Sequence, residues 1–351
     1  QVGSSAASDV YKRQLGGCGT DLVLLKSMVA DLFDHEKTMD ADRTVEIYQT
    51  LRHRNPANIP LPSGSEPEQH DHLTGILGRF DALLLDGYGV LNIGAEAVPG
   101  AVGLLEAAAR EGVEVMVLTN GGSKPSAMTG ARYRNLGLAI SDDRVISSRD
   151  ALIEGIAGAD GPIGVIDAEC ALPDDGRPDD GRPDDSQYVQ LDPSRPDQWL
   201  AMARIVFFGA TAWTLEWQEC LIRAMEAGIP VHIANPDVAA PHEGVFSFEP
   251  GYWTAAILDR LPEAEVHWYG KPHRPIFDLA IRRLEAVTGR TGWDQTRIAM
   301  VGDTLHTDIL GGNAAGLATV LITGHGLFRY GGAEAAMEKS GIHPNFITRA
   351  V

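Results

Sequence analysis

The chain has 351 residues, is 44% hydrophobic and carries a formal net charge of -19. Its length exceeds one average domain and falls short of three, so a core with an inserted or appended domain is expected. The charge argues against a nucleic acid or an anionic membrane as partner, since both need a basic footprint, and no apolar run approaches the roughly 18 residues of a membrane span. Cys18, Cys170 and Cys220 are widely spaced and form no CxxC pair. Neither a cysteine metal cluster nor a disulfide framework is implied, and a cytoplasmic setting is expected.

In chain order, residues 1–14 (QVGSSAASDVYKRQ) lack the basic, apolar and cleavable layout of a secretory signal and read as a non-native adapter stretch. Residues 15–69 read as a helical extension and linker. Leu22, Leu25, Met28, Val29 and Leu32 fall at three- and four-residue spacing, which predicts one or two amphipathic helices between about Asp21 and Thr50. The expected role is a packing or dimer arm without chemistry. Asn55 to Gln69 is rich in Pro, Ser and Glu and reads as the linker.

From Phe80 the pattern alternates strand and helix. Ala82–Leu85 and Val115–Leu118 read as buried strands. Pro99 to Arg110 reads as a helix, with Pro near its start and Gly112 past its end. Ser123 is a candidate N-cap for the next helix. Such alternation predicts an α/β fold with a doubly wound parallel sheet covered on both faces. A second, inserted α/β region is expected over 149–244, with strands near Ile163–Ile166, Ile205–Phe208 and Pro230–Ala234. Within it, PDDGRPDDGRPDD at 173–185 cannot bury a core and reads as a disordered loop. A calcium-binding acidic repeat is the alternative, but the terminal glutamate of such loops is missing. The first pattern resumes by Tyr252 and includes a strand at Ile298–Val301, so the core is expected to comprise 70–148 and 245–351.

Four distant segments then fit one phosphoryl-transfer site: Asp86 in LLLDGYGVL, Thr119 and Asn120 in VMVLTNGG, Lys271 in YGKPHRP, and Asp303 with Asp308 in MVGDTLHTD. Three of them follow predicted parallel strands, and ligands of open α/β sheets bind beyond the carboxyl ends of strands. An aspartate can act as nucleophile through an aspartyl phosphate. Carboxylates beside a phosphate need a cation between them, and Mg²⁺ favours a few carboxylate oxygens plus waters and phosphate. Thr119 can offer a hydroxyl and Asn120 a backbone N–H to the phosphate, while Lys271 offers a fixed positive charge.

These segments resemble the haloacid-dehalogenase-like superfamily, in the class IIA phosphatase branch that inserts a large α/β cap after the second motif. The resemblance covers about Phe80 to Thr323. It implies Asp86 as nucleophile, Thr119 as phosphate ligand, Lys271 as the cation on phosphate and nucleophile, and Asp303 as metal ligand. Asp308 would be a further ligand or its support. At position 88 the backbone carbonyl would reach the metal. The segment IANPD is similar to a turn near the cap–core junction of p-nitrophenyl phosphatase and pyridoxal phosphate phosphatase relatives, which makes Asn235 and Asp237 candidate substrate contacts. A plain Asn-Pro-Asp turn is the alternative. The resemblance implies Mg²⁺ as cofactor and a small phosphorylated metabolite as partner, and homodimers are common among the relatives.

One departure stands out. The family pattern DxDG places a second aspartate two residues after the nucleophile, to protonate the leaving group and activate water. Here that residue is Tyr88. A phenol, with a reference pKa near 10, is poorly matched to this task, and losing such a group typically costs about 10²- to 10⁴-fold in rate. His273, His306 or Asp237 could substitute; the substrate could carry a good leaving group; or the protein could be a catalytically weak binder of phosphorylated metabolites. DxYG also resembles the metal-independent 2-haloacid dehalogenases, although such a site has no use for Asp303 and Asp308.

Overall fold

The computed structural model describes residues 41–54, 66–166, 188–211, 213–241 and 246–351. The 1–14 stretch and the 173–185 repeat lie outside these residues.

Seven strands form the first sheet: β1 (Glu68–His72), β2 (Ala82–Leu85), β5 (Glu114–Thr119), β6 (Val145–Ser147), β14 (Ile298–Gly302), β15 (Ala318–Ile322) and β16 (Phe346–Ala350). Here β3 (Asn92–Ile93) and β4 (Glu96–Ala97) form a small antiparallel hairpin. The order is β1-β16-β15-β14-β2-β5-β6, and every pairing is parallel. Strand side chains alternate between faces, so Leu83 and Leu85 join one core while Ala82 and Leu84 join the other. That two-sided burial is why β2 reads as an unbroken apolar run. From β2 the chain winds outward to β5 and β6, then returns on the other side through β14. The reversal opens a crevice beyond the carboxyl ends of β2, β5 and β14.

Helix α1 (Ala41–Arg54) precedes this sheet. Helix α2 (Ala101–Glu111) ends at Gly112, whose φ of 71° closes the helix in the left-handed region. Helix α3 (Ser126–Asn135) starts later than Ser123, with Pro125 at the N-cap in extended conformation. The cause is local: a residue before proline is pushed out of the helical region, so no helix can run through Lys124.

The second sheet contains β7 (Ile163–Ile166), β8 (Tyr188–Gln190), β9 (Arg204–Phe207), β10 (Val231–Ile233) and β13 (Val266–Trp268), in the all-parallel order β13-β10-β9-β7-β8. A second small hairpin joins β11 (Ala239–Pro241) to β12 (Phe246–Phe248). The sequence returned the chain to the first sheet after Gly244. Pairing of Val231 with Val266 and Ile233 with Trp268 carries the second sheet further. The short β13 is only partly buried and shows no apolar run.

One face of this sheet, with Ile163, Val165 and Val206, shares a core with Leu152 of α4 (Ser148–Gly155) and with Leu84 and Met300 of the first sheet. The other face, with Ile205, Phe207 and Ile233, packs on Leu221 of α5 (Leu215–Glu226) and Trp253 of α6 (Pro250–Leu258). Helices α7 (Arg274–Thr288) and α8 (Ala333–Ser340) belong to the first sheet's layers. Among the described residues no helix is long and apolar enough to cross a membrane.

Candidate active site

A cavity of about 500 Å³ lies where the carboxyl ends of β2 and β5 face those of β9 and β10. Asp86, Tyr88, Thr119, Asn120, Asn235, Asp237, Lys271 and Asp303 all line it. Asp308 lies beneath, fully buried.

Asp86 continues β2 by donating its backbone N–H to Val301 at 2.9 Å. Lys271 is 1% exposed. Its Nζ lies 2.7 Å from Asp86 Oδ1 and 2.6 Å from Asp308 Oδ1. Asp303 accepts from the Leu327 N–H at 2.7 Å and from the Thr304 hydroxyl at 3.1 Å. The other oxygen of Asp308 accepts the Thr304 N–H at 3.1 Å. Asp308 sits on a single π-turn, Leu305–Ile309, a widened helix turn that recurs at functional sites. Two glycines make the crowding feasible. A side chain on Gly302 would collide with the Asp308 carboxylate, and one on Gly89, whose φ is +77°, would come within 2.6 Å of Asp303.

Carboxylate oxygens of Asp86, Asp303 and Asp308 all lie within 4.8 Å of one another. Three carboxylates face the one Lys271 ammonium in a buried space, an excess of negative charge whenever they are ionised. Burial drives the Asp86 carboxyl well above the usual carboxylate range, with Lys271 opposing and Asp308 and Asp303 reinforcing. Burial and the Asp308 charge push Asp303 up to about 7. Burial alone would weaken the Lys271 ammonium, but Asp308 and Asp86 outweigh it and hold its pKa above the ordinary value. An all-oxygen donor set with uncompensated negative charge fits a hard divalent cation such as Mg²⁺.

The second side of the cavity is held by hydrogen bonds between the two sheets. Asn120 Nδ2 donates to Asp237 Oδ1 at 2.8 Å and to the Lys271 carbonyl at 2.9 Å, while its Oδ1 accepts the Lys271 N–H at 2.7 Å. The Asn120 side chain is thus committed to tying three segments together. Asn235 is similarly occupied: its Nδ2 donates to Glu249 at 2.9 Å and its Oδ1 accepts the Asp237 N–H at 3.0 Å. That is an Asx turn built on the Asn-Pro-Asp sequence. Thr119 ends β5, and its Oγ1 accepts the Gly121 N–H at 3.1 Å.

Of the three substitutes for the missing acid, Asp237 lines the cavity and the histidines do not. His273 stacks on Trp268 at 5.5 Å and His306 on Tyr48 at 5.2 Å. Burial lowers both imidazoles to about 3, so neither is a charged imidazolium near neutrality. Burial raises Asp237 to about 6, against the opposing hydrogen bond from Asn120.

The structure adds residues that sequence reasoning passed over. Thr44 and Tyr48 of α1 line the cavity, on the arm expected to have no chemistry. Their four-residue spacing puts both on one helix face, yet nothing in the sequence links that face to Asp86. Tyr133 lies against Gly87, and burial and the Asp86 charge raise its phenol. The second sheet adds Phe208, Trp213 and Trp253. Trp213 stacks on Phe207 at 4.5 Å and donates its indole N–H to Gln218 at 2.8 Å. The run TAWTLEW was a usable signal for an aromatic wall.

Comparison with known proteins places this geometry in context. A haloacid dehalogenase-like hydrolase model matches residues 83–169, and a HAD-hydrolase-like model matches 268–349. Human chronophin is 27% identical over 302 residues, covering 80% of this chain and 93% of its own. Human glycerol-3-phosphate phosphatase is 28% identical over 264 residues, covering 70% and 79%. Among solved structures, a possible sugar phosphatase of the HAD superfamily from Cytophaga hutchinsonii superimposes with a TM-score of 0.67 at 24% identity, covering 81% of this chain and 98% of that one.

Proposed function

The chain belongs to the haloacid dehalogenase-like hydrolases, and we propose that it is a Mg²⁺-dependent phosphatase that hydrolyses a small phosphorylated metabolite through Asp86. The observation that carries this reading is the buried cluster of Asp86, Asp303, Asp308 and Lys271 at the carboxyl ends of β2 and β14. Phosphoryl transfer asks a protein for positioning and charge neutralisation, and this cluster supplies both. The phosphatase names of the curated relatives support the same class. The glycerol phosphate in one of those names suggests a small polar ester here.

In this reading a carboxylate oxygen of Asp86 attacks phosphorus and forms an aspartyl phosphate, which water then hydrolyses. Lys271 opposes the burial that favours a protonated Asp86 and faces the charge that develops on the phosphoryl oxygens. The Thr119 hydroxyl and the Asn120 backbone N–H hold the phosphate. Asp86, Asp303, Asp308 and the Tyr88 backbone carbonyl would hold Mg²⁺, which when bound neutralises charge on the transferring group. The five-stranded sheet acts as the cap. Asn235 serves to shape the turn, and Asp237 is left to meet the substrate.

The dehalogenase alternative is dropped: its metal-free chemistry gives no role to the buried Asp303–Asp308 pair, and the curated relatives are phosphatases. The test is release of phosphate from p-nitrophenyl phosphate and a panel of phosphorylated metabolites, with Mg²⁺ and with EDTA, beside halide release from L-2-chloropropionate. Mg²⁺-dependent phosphate release is expected. Metal-independent halide release, or silence on every ester, would overturn the reading.

A further inference from the structure

We infer that helix α1 is a working part of the active site, with Tyr48 as the positioning residue that holds Asp237 to serve as the proton donor that position 88 lacks. This rests on the phosphatase reading above.

The Tyr48 hydroxyl makes two contacts. It lies 3.4 Å from Asp237 Oδ1, to which it donates, and it accepts the Val238 N–H at 3.1 Å. The Asn120 amide donates to the same Asp237 Oδ1 at 2.8 Å. Both side-chain donors therefore fall on one oxygen. An oxygen that accepts two hydrogen bonds disfavours a proton of its own, so the proton of a neutral Asp237 belongs on Oδ2. That fixes which atom can deliver it. Asp237 lines the same cavity as Asp86 and Tyr88.

Tyr48 is held from both sides. Its ring stacks, with planes 8° apart, on His306 of the same π-turn that carries Asp308. Helix α1 is tied to α8 by Arg52 donating to the Ser340 carbonyl at 2.8 Å, by Gln49 donating to the Lys339 carbonyl at 3.0 Å, and by Lys339 with Glu46 at 3.1 Å. The chain preceding the first sheet thus reaches across both sheets and sets one carboxylate.

The step balances as follows. Asp86 forms its bond to phosphorus and the ester P–O bond breaks; the leaving oxygen keeps the electron pair and takes the Asp237 proton, giving the alcohol. The Asp237 carboxylate next takes a proton from the water that attacks the aspartyl phosphate, releasing phosphate and restoring Asp86. A carboxyl near pKa 6 is suited to both halves of this cycle. The titratable groups acting on Asp237 are Lys271, Asp308 and Tyr48.

The test compares wild type, Asp237→Asn and Tyr48→Phe on two esters of similar shape, p-nitrophenyl phosphate and phenyl phosphate, in Mg²⁺. Phenoxide is the poorer leaving group and needs the proton more. For Asp237→Asn, kcat on phenyl phosphate is expected to fall by about 10²-fold or more, with a loss on the nitrophenyl ester under about 10-fold. Tyr48→Phe keeps the ring stack and removes the hydroxyl. It should lower kcat on phenyl phosphate by about 5-fold with KM unchanged. Loss of that hydrogen bond raises the Asp237 pKa, so the limb on which kcat falls as pH rises moves to higher pH. Equal losses on both esters, no loss, or an unmoved limb would overturn the inference while leaving the phosphatase reading intact. If wild type releases phosphate from neither ester, both fall together.

Discussion

At the carboxyl ends of the seven-stranded sheet the chain gathers Asp86, Asp303 and Asp308 around Lys271; at the facing ends of the five-stranded sheet it gathers Phe208, Trp213 and Trp253 around a turn. Both sheets are all-parallel and both are buried on two faces. On the proposed function the strand ends differ because their tasks differ. A buried charge cluster is unfavourable for folding and is kept where charge has to be moved. Aromatic side chains add large contact area with few rotors, and suit a wall that receives the uncharged part of a ligand. In the proposed reading one sheet supplies reactivity and the other supplies fit, with Asp237 and Tyr48 at the seam.

The largest effect should come from the charged end. Asp86→Asn keeps shape and removes the proposed nucleophile, so kcat should fall on the order of 10⁴- to 10⁶-fold while the circular dichroism spectrum and thermal midpoint stay close to wild type. Retention of full activity would move the nucleophile elsewhere.

Next is Lys271→Met. It leaves Asp308, fully buried, without its ammonium. Breaking a buried pair from one side costs about 3–5 kcal/mol, measurable by urea unfolding in metal-free buffer near neutral pH. A loss under about 1 kcal/mol would mean that the cluster is not the buried charge centre described above.

Asp303→Asn sharpens the same contrast. In metal-free protein it removes the carboxyl that burial and the Asp308 charge raise to about 7. The sign follows from that elevation: the ionised form is disfavoured in the fold, so wild-type stability is lost as pH rises from the unfolded carboxylate pKa toward 7. Without metal, above pH 7, the variant should melt a few degrees higher than wild type. Added Mg²⁺ should raise the wild-type midpoint and leave the variant unmoved. A variant that still responds to Mg²⁺ would place the metal on other groups.

The smallest effect belongs to the aromatic end. Trp213→Ala should raise KM for p-nitrophenyl phosphate several-fold with kcat within about 3-fold, as expected for binding shared equally by ground and transition states. A loss confined to kcat would give that wall a part in the chemistry.

Much of the charged end could be read in the sequence, because a parallel strand buried on both faces leaves an unbroken apolar run and the reactive residue follows it directly. Ala82–Leu85 then Asp86, and Ile298–Val301 then Asp303, show this. The seam could not be read in the same way. Tyr48 and Asp237 are 189 positions apart and meet only because α1 spans the two sheets. Periodicity showed that such a helix could form but not what its face would touch. The late start of α3 was legible in Pro125, a signal outweighed by Ser123. The strand at Val266–Trp268 leaves no such run because its partly exposed residues join the sheet through pairing with β10.

The central claim is that Asp86 carries the phosphoryl group, and the most direct measurement is acid-quenched turnover of p-nitrophenyl phosphate in Mg²⁺, followed by peptide mapping. A phosphoryl group on Asp86, absent with EDTA and absent in Asp86→Asn, is the result predicted. Steady release of phosphate with Asp86 unmodified, or unabated turnover by the variant, would contradict it.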